Sequence, residues 1–278
     1  MSDATVIKPD LAFVNEIIKG GGESLKKCYQ CATCSVVCNV TPEGNPFPRK
    51  EMVLAQWGQK DQLLASADVW LCHQCSDCTA YCPRGAKPGE VLNAIRKQSI
   101  KHVAMVPFFA KIASDPKLLW LLFAIPIVLF YVIMPYKSLD AIPLNEEGKM
   151  AYHFFMPVFP QIDVTFILTA IFAAASAFVG IMRLWSGMKA QAGQISPSGS
   201  PMSHIVPAVT EILAHKKFAD CTVNRTRQWG HMLLFYAFVG LFIVTWWAVF
   251  YLYGHEFFGI PAFGPFHFGE APYPIPIP

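Results

Sequence analysis

The chain has 278 residues, of which 15% are charged and 54% are apolar, and its formal net charge is +3. A typical soluble domain carries about 25% charged residues, so this composition is too apolar for a purely soluble protein. So small a net charge gives no reason to expect nucleic acid as a partner. Most charged residues precede Lys117 and most long apolar runs follow it. The sequence therefore predicts a soluble domain followed by a membrane domain.

The soluble part is predicted to be helical. Apolar residues recur at helical spacing from Leu11 to Ile18, and three glycines from Gly20 end that helix. Further helices are expected at Glu51–Gln59 and from Pro88, because proline favours the first turn of a helix. No strand pattern lies between these segments, so the connections are also expected to be helical.

Eight of the nine cysteines form two runs with the same spacing, C-x2-C-x2-C-x3-C. The runs are Cys28, Cys31, Cys34 and Cys38, then Cys72, Cys75, Cys78 and Cys82. Residues 1–8 carry no secretory signal, so a reducing cytoplasm is expected, where dense cysteines bind metal rather than form disulfides. Structural zinc is the alternative, but zinc sites usually have two C-x2-C pairs. The repeated four-cysteine run predicts two 4Fe–4S clusters.

The ligands of the two clusters are expected to cross over. In two-cluster ferredoxins the fourth cysteine of each run binds the other cluster. This assigns Cys28, Cys31, Cys34 and Cys82 to cluster 1, and Cys72, Cys75, Cys78 and Cys38 to cluster 2. Each cluster then has four thiolates and no open position, and no nucleophile–base pair accompanies them. The prediction is electron relay, with no catalytic residue.

Three later segments, at about 118–136, 164–184 and 231–253, satisfy the criterion for membrane spans. At about 1.5 Å per residue each covers roughly 30 Å, the thickness of the hydrocarbon core. Buried helices of a soluble protein are the alternative, but three in succession at bilayer length favour a membrane. The predicted fold is all-α, with an α-helical two-cluster ferredoxin domain at 1–106 and a transmembrane helical bundle at 107–278. Three spans make an incomplete bundle, so further helices are expected beyond it.

The charge of the connections predicts the orientation. Ser186–Gly230 contains five Lys and Arg residues, whereas Gly254–Pro278 contains none. Positively charged connections stay in the cytoplasm, which places Ser186–Gly230 there. Two spans separate this connection from the N-terminal domain, so that domain is also expected in the cytoplasm, and the chain is expected to be a multi-pass protein of the inner (cytoplasmic) membrane.

Histidines at the ends of the spans are candidate ligands of haem b, which takes axial histidines from facing helices. His231 opens the third span on the cytoplasmic side, after Arg225 and Arg227, whose charges suit haem propionates. His153 and His255 lie near the outer ends of the second and third spans. The alternative is that these histidines lie in the headgroup region without binding iron. The remaining candidates, His204 and His215, lie in the cytoplasmic connection and are expected to be solvated.

With both halves in view, the chain resembles the C subunit of quinone-interacting membrane-bound oxidoreductase (Qmo) complexes. Residues 10–102 resemble the small iron–sulfur subunit of heterodisulfide reductase, with the motifs CYQCATCSVVC (Cys28–Cys38) and CHQCSDCTAYCP (Cys72–Pro83). The part after Lys117 resembles the b-type cytochrome anchors of that reductase and of respiratory nitrate reductase, above all in RQWGHMLLFY (Arg227–Tyr236). The fusion of the two parts in one chain points to the Qmo family.

The resemblance implies a cytochrome b-like membrane domain with one or two haem b groups, menaquinone as the substrate and contact with membrane lipid. It also implies two flavin-containing partners that resemble the A subunit of heterodisulfide reductase, and electron delivery to adenylylsulfate reductase in sulfate respiration. One departure concerns the nitrate reductase anchor, which places a second histidine about ten residues after the first. Leu241 stands at that position here.

Three functions are weighed on this basis. The favoured one is transfer of electrons from menaquinol through haem b to the clusters and on to flavoprotein subunits. The second is the membrane subunit of a heterodisulfide-reductase-like or sulfite-reduction-linked complex, although the catalytic motif with adjacent cysteines is not present in this sequence. The third is a structural membrane anchor whose clusters only stabilise the fold.

Overall fold

A computed structural model describes residues 8–42, 44–135, 161–192, 199–216 and 225–258, together with residues 144 and 148. Contacts divide the chain into two compact units, 1–198 and 199–278. The all-α fold class is confirmed. The predicted domain boundary between residues 106 and 107 lies within the first unit and stays a prediction.

The first half of unit 1 consists of short helices around one long one. These elements are α1 (Leu11–Lys19), a 3-10 turn (Glu23–Lys27), α2 (Thr33–Val36), α3 (Arg49–Gln56), α4 (Lys60–Leu64), α5 (Asp68–Leu71), α6 (Asp77–Ala80) and α7 (Pro88–Val103). α7 begins at Pro88, as predicted, and packs against α1, α3, α4, α5 and α6. Val91, Leu92 and Ile95 on its inner face are almost completely buried. Helix α7 therefore forms the centre of this core.

Helix α1 (Leu11–Lys19) buries most of the apolar residues that the periodicity predicts: Ile17 is fully buried, and Val14 and Ile18 pack against the core. Its N-cap, Asp10, accepts a hydrogen bond from the Phe13 backbone N–H at 2.9 Å, as a capping carboxylate does. Leu11, the first residue of the predicted set, is 70% exposed, and Phe13, which lies outside that set, is buried together with Ile17. Phe13 and Ile17 are four residues apart and so lie on one face of the helix.

A carboxylate is buried next to this core. The Glu51 side chain on α3 is fully buried, and its Oε1 lies 3.4 Å from the Lys50 ammonium, which also contacts Asp68. Burial raises the pKa of Glu51 from 4.5 to about 7, because desolvation penalises the charged form more than Lys50 stabilises it. Burial therefore favours the protonated form of Glu51 relative to an exposed glutamate.

The second half of unit 1 contains α8 (Pro107–Ser114), a 3-10 turn (Pro116–Leu118), α9 (Leu119–Ile133) and α10 (Asp163–Ala192). Aromatic pairs join these helices. The Phe109 and Phe172 rings lie 5.9 Å apart between α8 and α10, and the Phe130 and Phe166 rings lie 6.4 Å apart between α9 and α10. Unit 2 contains α11 (Pro201–Ala214) and α12 (Arg225–Phe258).

Three helices of the described residues are long and apolar enough to cross a membrane, at 116–133, 163–191 and 226–247. This agrees with the three predicted segments and indicates association with a membrane. The helix ends differ from the predicted spans, because α10 continues to Ala192 and α12 already begins at Arg225. Hydropathy marks where lipid contact ends, whereas the helix itself continues through polar residues. Helix α11 lies within the connection that the sequence predicts as a loop.

The polar end of α10 is docked on the short-helix domain. Arg183 donates from Nη1 to the carbonyl oxygen of Ala104 at 2.6 Å, just beyond the C-terminus of α7. Gln191 donates to the carbonyl oxygen of Gln62 at 2.6 Å. Gly187 permits this approach, since a Cβ there would lie 2.9 Å from the Cβ of Ala65. The second predicted span is thus fixed directly to the domain that carries the cysteines.

The raised pKa of Glu51 predicts a pH dependence of folding. Below pH 4.5 both folded and unfolded states hold the proton, whereas from about pH 4.5 to 7 the folded state binds more protons. The free energy of unfolding should therefore fall as pH rises through this window and stay low above it. Glu51→Gln should remove this fall and stabilise the protein by about 1–3 kcal/mol at about pH 8, measured by thermal unfolding. Glu90→Gln, an exposed glutamate on α7, is the matched control. Identical pH profiles for Glu51→Gln and wild type would contradict the assignment.

Candidate functional site

The two cysteine runs fold into the same backbone shape. Gln30 and Ala32, on either side of Cys31, have φ values of 60° and 67°. At the equivalent positions of the second run, Gln74 and Ser76 flank Cys75 with φ values of 57° and 71°. Left-handed backbone costs a non-glycine residue roughly 1 kcal/mol. Because the same costly conformation recurs in both runs, it indicates that these loops form a functional site. It turns each loop back on itself around its second cysteine.

A one-turn helix follows each loop and carries the third cysteine inward. Helix α2 contains Cys34 and α6 contains Cys78, both only 9% exposed, and the two helices pack against each other. Helices of four residues are too short to be stable in isolation. Their formation depends on the packing and on the groups that the cysteines bind.

The eight cysteines surround two separate cavities. Cavity 1 is lined by Cys28, Cys31, Cys34 and Cys82. Cavity 2 is lined by Cys72, Cys75, Cys78 and Cys38. The first three cysteines of each run thus share a cavity with the fourth cysteine of the other run.

The N-terminus of α7 separates the two cavities. Pro88 lines cavity 1, and Gly89, the next residue, lines cavity 2. The two spaces are therefore neighbours across a single turn of helix. The positive end of a helix dipole lies beside both, which favours the negative charge that thiolate-bound clusters carry.

The thiols of the two runs differ in how easily they ionise. Burial, reinforced by neighbouring cysteines, raises the pKa of Cys34 and Cys78 to about 11. Burial also raises the pKa of Cys38 and Cys72. A hydrogen bond with the Thr33 hydroxyl lowers the pKa of Cys31, the exposed cysteine of the first run. Buried thiolates need a compensating cation, and binding iron releases their protons.

Hydrogen bonds reach the sulfurs from equivalent residues of the two runs. The backbone N–H of Gln30 donates to Cys28 Sγ at 3.4 Å. In the second run the Gln74 side-chain amide donates to Cys72 Sγ at the same distance, and also to the carbonyl oxygen of Gly89. Such bonds raise the reduction potential of iron–sulfur clusters by stabilising charge on sulfur.

A cation–π contact lies at the rim of cavity 1, where the Arg84 Cζ atom is 4.0 Å from the centroid of the Tyr29 ring.

The arrangement of the eight cysteines fits two iron–sulfur clusters. Within the described ranges, no three His, Cys, Asp or Glu side chains converge closely enough to hold a single metal ion. The thiols instead surround cavities, four to each, which suits a cube of iron and sulfide with a cysteine at each iron.

The histidine candidates are only partly described. His231 is an exposed residue of α12, and its ring centroid lies 4.9 Å from that of His215. His153 lies outside the described residues, and His255 belongs to α12 but its side chain is likewise outside the description. His231 and His255 are 24 residues apart on one helix, or about 36 Å, so they cannot bind the same haem.

His215 is the residue that sequence reasoning missed. It was expected to be solvated, yet it is 6% exposed and its ring packs on His231 and Phe235. Lys216, Lys217 and a polar segment follow His215 in the sequence, and such a pattern does not predict a buried side chain. The contact arises because α11, which the sequence did not predict, ends against the start of α12. Of the residues described, His231 could supply one axial imidazole to a haem, because it lies at the end of a membrane-length segment.

Comparison with protein families matches residues 24–86 to the 4Fe-4S dicluster domain. This range contains all eight cysteines of the two runs.

Several curated proteins are similar to the N-terminal part of the chain. The C subunit of the H2:CoB-CoM heterodisulfide, ferredoxin reductase of Methanothermobacter marburgensis is 32% identical over 108 residues, which are 38% of this chain and 57% of that subunit. A protein of Archaeoglobus profundus that is like the C subunit of heterodisulfide reductase is 36% identical over 94 residues, 33% of this chain and 50% of that protein. The iron–sulfur C subunit of the CoB–CoM heterodisulfide reductase of Methanopyrus kandleri is 30% identical over 124 residues, 45% and 55% of the two chains.

The chain thus spans about half the length of these relatives. The predicted resemblance of residues 10–102 to the small iron–sulfur subunit of heterodisulfide reductase is confirmed. Residues 24–86 form a 4Fe–4S dicluster domain whose cysteines hold two clusters, and this part of the chain is related to the C subunit of heterodisulfide reductases.

Proposed function

We propose that this chain is the membrane-bound electron-transfer subunit of a quinone-interacting oxidoreductase complex. It takes electrons from menaquinol and delivers them to two cytoplasmic flavoprotein subunits, and through them to adenylylsulfate reductase in sulfate respiration. Haem b and two 4Fe–4S clusters supply the one-electron carriers. This role rests on the resemblance of the whole chain to the C subunit of Qmo complexes and on the features below.

The observation that carries the proposal is a dicluster domain fixed to an apolar helix of bilayer length. Cavities 1 and 2 adjoin at Pro88 and Gly89, so electrons have a short path between the clusters. The domain is held to α10 through Arg183 and Gln191. A relay from a membrane-dissolved donor to soluble acceptors needs both elements, and a purely structural anchor needs only one cluster or none.

The same contacts support the predicted orientation. The dicluster domain touches α10 at its C-terminal end, next to the connection that carries the excess of Lys and Arg. Charge and docking therefore both favour the same side, the cytoplasm, for the domain and the connection. The flavoprotein partners of the proposed complex are soluble and lie on that side.

We also propose the crossed set of ligands for the clusters. Cys82 closes the coordination of the cluster bound by Cys28, Cys31 and Cys34. Cys38 closes that of the other cluster. The lining of the two cavities supports this assignment.

Replacement of one crossed ligand tests the assignment. Cys82→Ser should damage cluster 1 and leave cluster 2 intact, although Cys82 lies in the second run, because its thiolate completes the first site. Iron content should fall by up to about half, and electron paramagnetic resonance should show which signal is lost. Cys31→Ser and Cys75→Ser provide the reference spectra for loss of each cluster, and Cys38→Ser should give the mirror result. Loss of the cluster 2 signal in Cys82→Ser with cluster 1 retained would show that each run binds its own cluster.

For haem b, we propose His231 as an axial ligand on the cytoplasmic side, and His153 and His255 as candidates on the outer side. His231 lies within two turns of the start of α12, at the end of the membrane-length segment. A group bound there lies on the face where the dicluster domain is expected. Histidine at membrane depth is uncommon and usually functional.

The replacement His231→Ala tests the electron path. It should remove one haem from the visible spectrum and stop the reduction of the clusters by a menaquinol analogue, because the ligand that holds the carrier is gone. Dithionite should still reduce the clusters, since it reaches them directly. His204→Ala, an exposed histidine on α11, is the matched control and should behave as wild type. A full haem complement and normal quinol-driven reduction in His231→Ala would rule out this role.

The second candidate, a membrane component of a heterodisulfide-reductase-like complex, is favoured by the names of the relatives of the dicluster domain. This second function needs the same clusters and membrane helices as the first, and differs from it in the protein that accepts the electrons.

A further inference from the structure

A third cavity lies where the dicluster domain meets the first membrane-length helix. Cavity 3 is open to the surface and has a volume of about 390 Å³, which is within the range of ligand-binding sites. Its lining includes Lys97 and Ile100 of α7, Ala113 of α8 and Leu119, the first residue of α9. The apolar segment of bilayer length covers residues 116–133. Cavity 3 therefore lies at the boundary between the soluble helices and the membrane helix.

One end of cavity 3 is basic. The Lys97 ammonium donates to the carbonyl oxygen of Gly20 at 3.1 Å, and in the part of the chain that the structure describes no ion pair joins it to a carboxylate. Asp115 also lines the cavity, but its Oδ1 accepts from the Lys117 backbone N–H at 3.0 Å. Residues 97–117 contain four lysines and a single carboxylate. The surroundings of cavity 3 therefore favour an anion.

The other end of cavity 3 continues onto an apolar stripe of α9. Leu119 lines the cavity, and Phe123 follows it by four residues, so the two side chains lie on one face of the helix. Both side chains are exposed, and so is Trp120 beside them. Indole rings favour the membrane–water interface, which is the level expected for the start of a span. The cavity thus joins a cationic pocket to a surface that suits an apolar chain.

We propose that cavity 3 binds one anionic phospholipid, with its phosphate next to Lys97 and an acyl chain along Leu119 and Phe123. Basic pockets beside membrane helices bind anionic headgroups, and the predicted orientation puts this one in the cytoplasmic leaflet, whose surface is negative. A zwitterionic lipid offers the same chains without the net charge, and a soluble phosphate ester offers the charge without the chains. The site is separate from the proposed electron path, because it shares no lining residue with cavity 1 or cavity 2.

Native mass spectrometry of the full-length protein in detergent tests the site, with dioctanoyl phosphatidylglycerol and dioctanoyl phosphatidylcholine as probes. Wild type should bind one phosphatidylglycerol about tenfold more tightly than phosphatidylcholine. Lys97→Gln should weaken phosphatidylglycerol about fivefold and leave phosphatidylcholine unchanged, because it removes one charge near the headgroup. Ala113→Leu keeps every charge but fills the cavity, so it should weaken both lipids. Lys189→Gln, which removes the same charge in the last turn of α10, is the matched control and should behave as wild type.

Other results would overturn the assignment. Equal binding of the two lipids by wild type would mean that the headgroup charge is not recognised. Phosphatidylglycerol binding that is unchanged in both Lys97→Gln and Ala113→Leu would place the lipid elsewhere on the protein. Displacement of the lipid by an equal concentration of glycerol 1-phosphate would mean that a soluble phosphate ester suffices. A menaquinol analogue that displaces the lipid, and whose binding is weakened by Ala113→Leu but not by Lys97→Gln, would assign cavity 3 to quinol.

Discussion

Coordination of iron by buried thiolates is the interaction on which the N-terminal domain depends. Cys34 and Cys78 lie almost out of solvent, and burial moves the pKa of each to about 11. Without iron these side chains stay neutral and contribute little, whereas with iron they are deprotonated and link α2 and α6 to their loops. Helices this short, between loops in left-handed conformations, do not form a stable fold from hydrogen bonds alone. Cluster binding should therefore stabilise these short segments, while the buried apolar residues around α7 form the core that carries them.

Helix α7 connects the two cavities to the apolar helices of unit 1. Its first turn separates the cavities at Pro88 and Gly89, and Arg183 of α10 binds the carbonyl oxygens just beyond its last turn. With 16 residues, α7 is about 24 Å long. The clusters thus lie at the end of α7 that is remote from α10, beside exposed residues such as Tyr29 and Cys31. That position suits the proposed delivery to soluble partners, and in the proposed path haem b carries electrons between a quinol in the bilayer and the clusters.

Much of this could be predicted from the sequence, because the strongest signals are local. The spacing of the cysteines predicts both clusters, and uninterrupted apolar runs predict the three long helices. The rest depends on tertiary contacts. The left-handed backbone at Gln30 and Ala32 is invisible in the sequence because neither is glycine. The burial of Phe13 and the exposure of Leu11 depend on what the rest of the domain packs against α1, which the apolar period does not contain. The burial of His215 arises where α11 meets α12, and periodicity within one helix carries no information about that junction.

The central claim is that electrons from a quinol in the membrane reach both clusters on the cytoplasmic face. Its most direct test is anaerobic electron paramagnetic resonance of sealed inside-out membrane vesicles that contain the complete protein, after addition of a menaquinol analogue and with a membrane-impermeant acceptor outside. Both cluster signals should appear before the acceptor is added, and the acceptor should then be reduced, whereas sealed right-side-out vesicles should not reduce it. Clusters that remain oxidised with quinol, yet are reduced by dithionite, would contradict the claim.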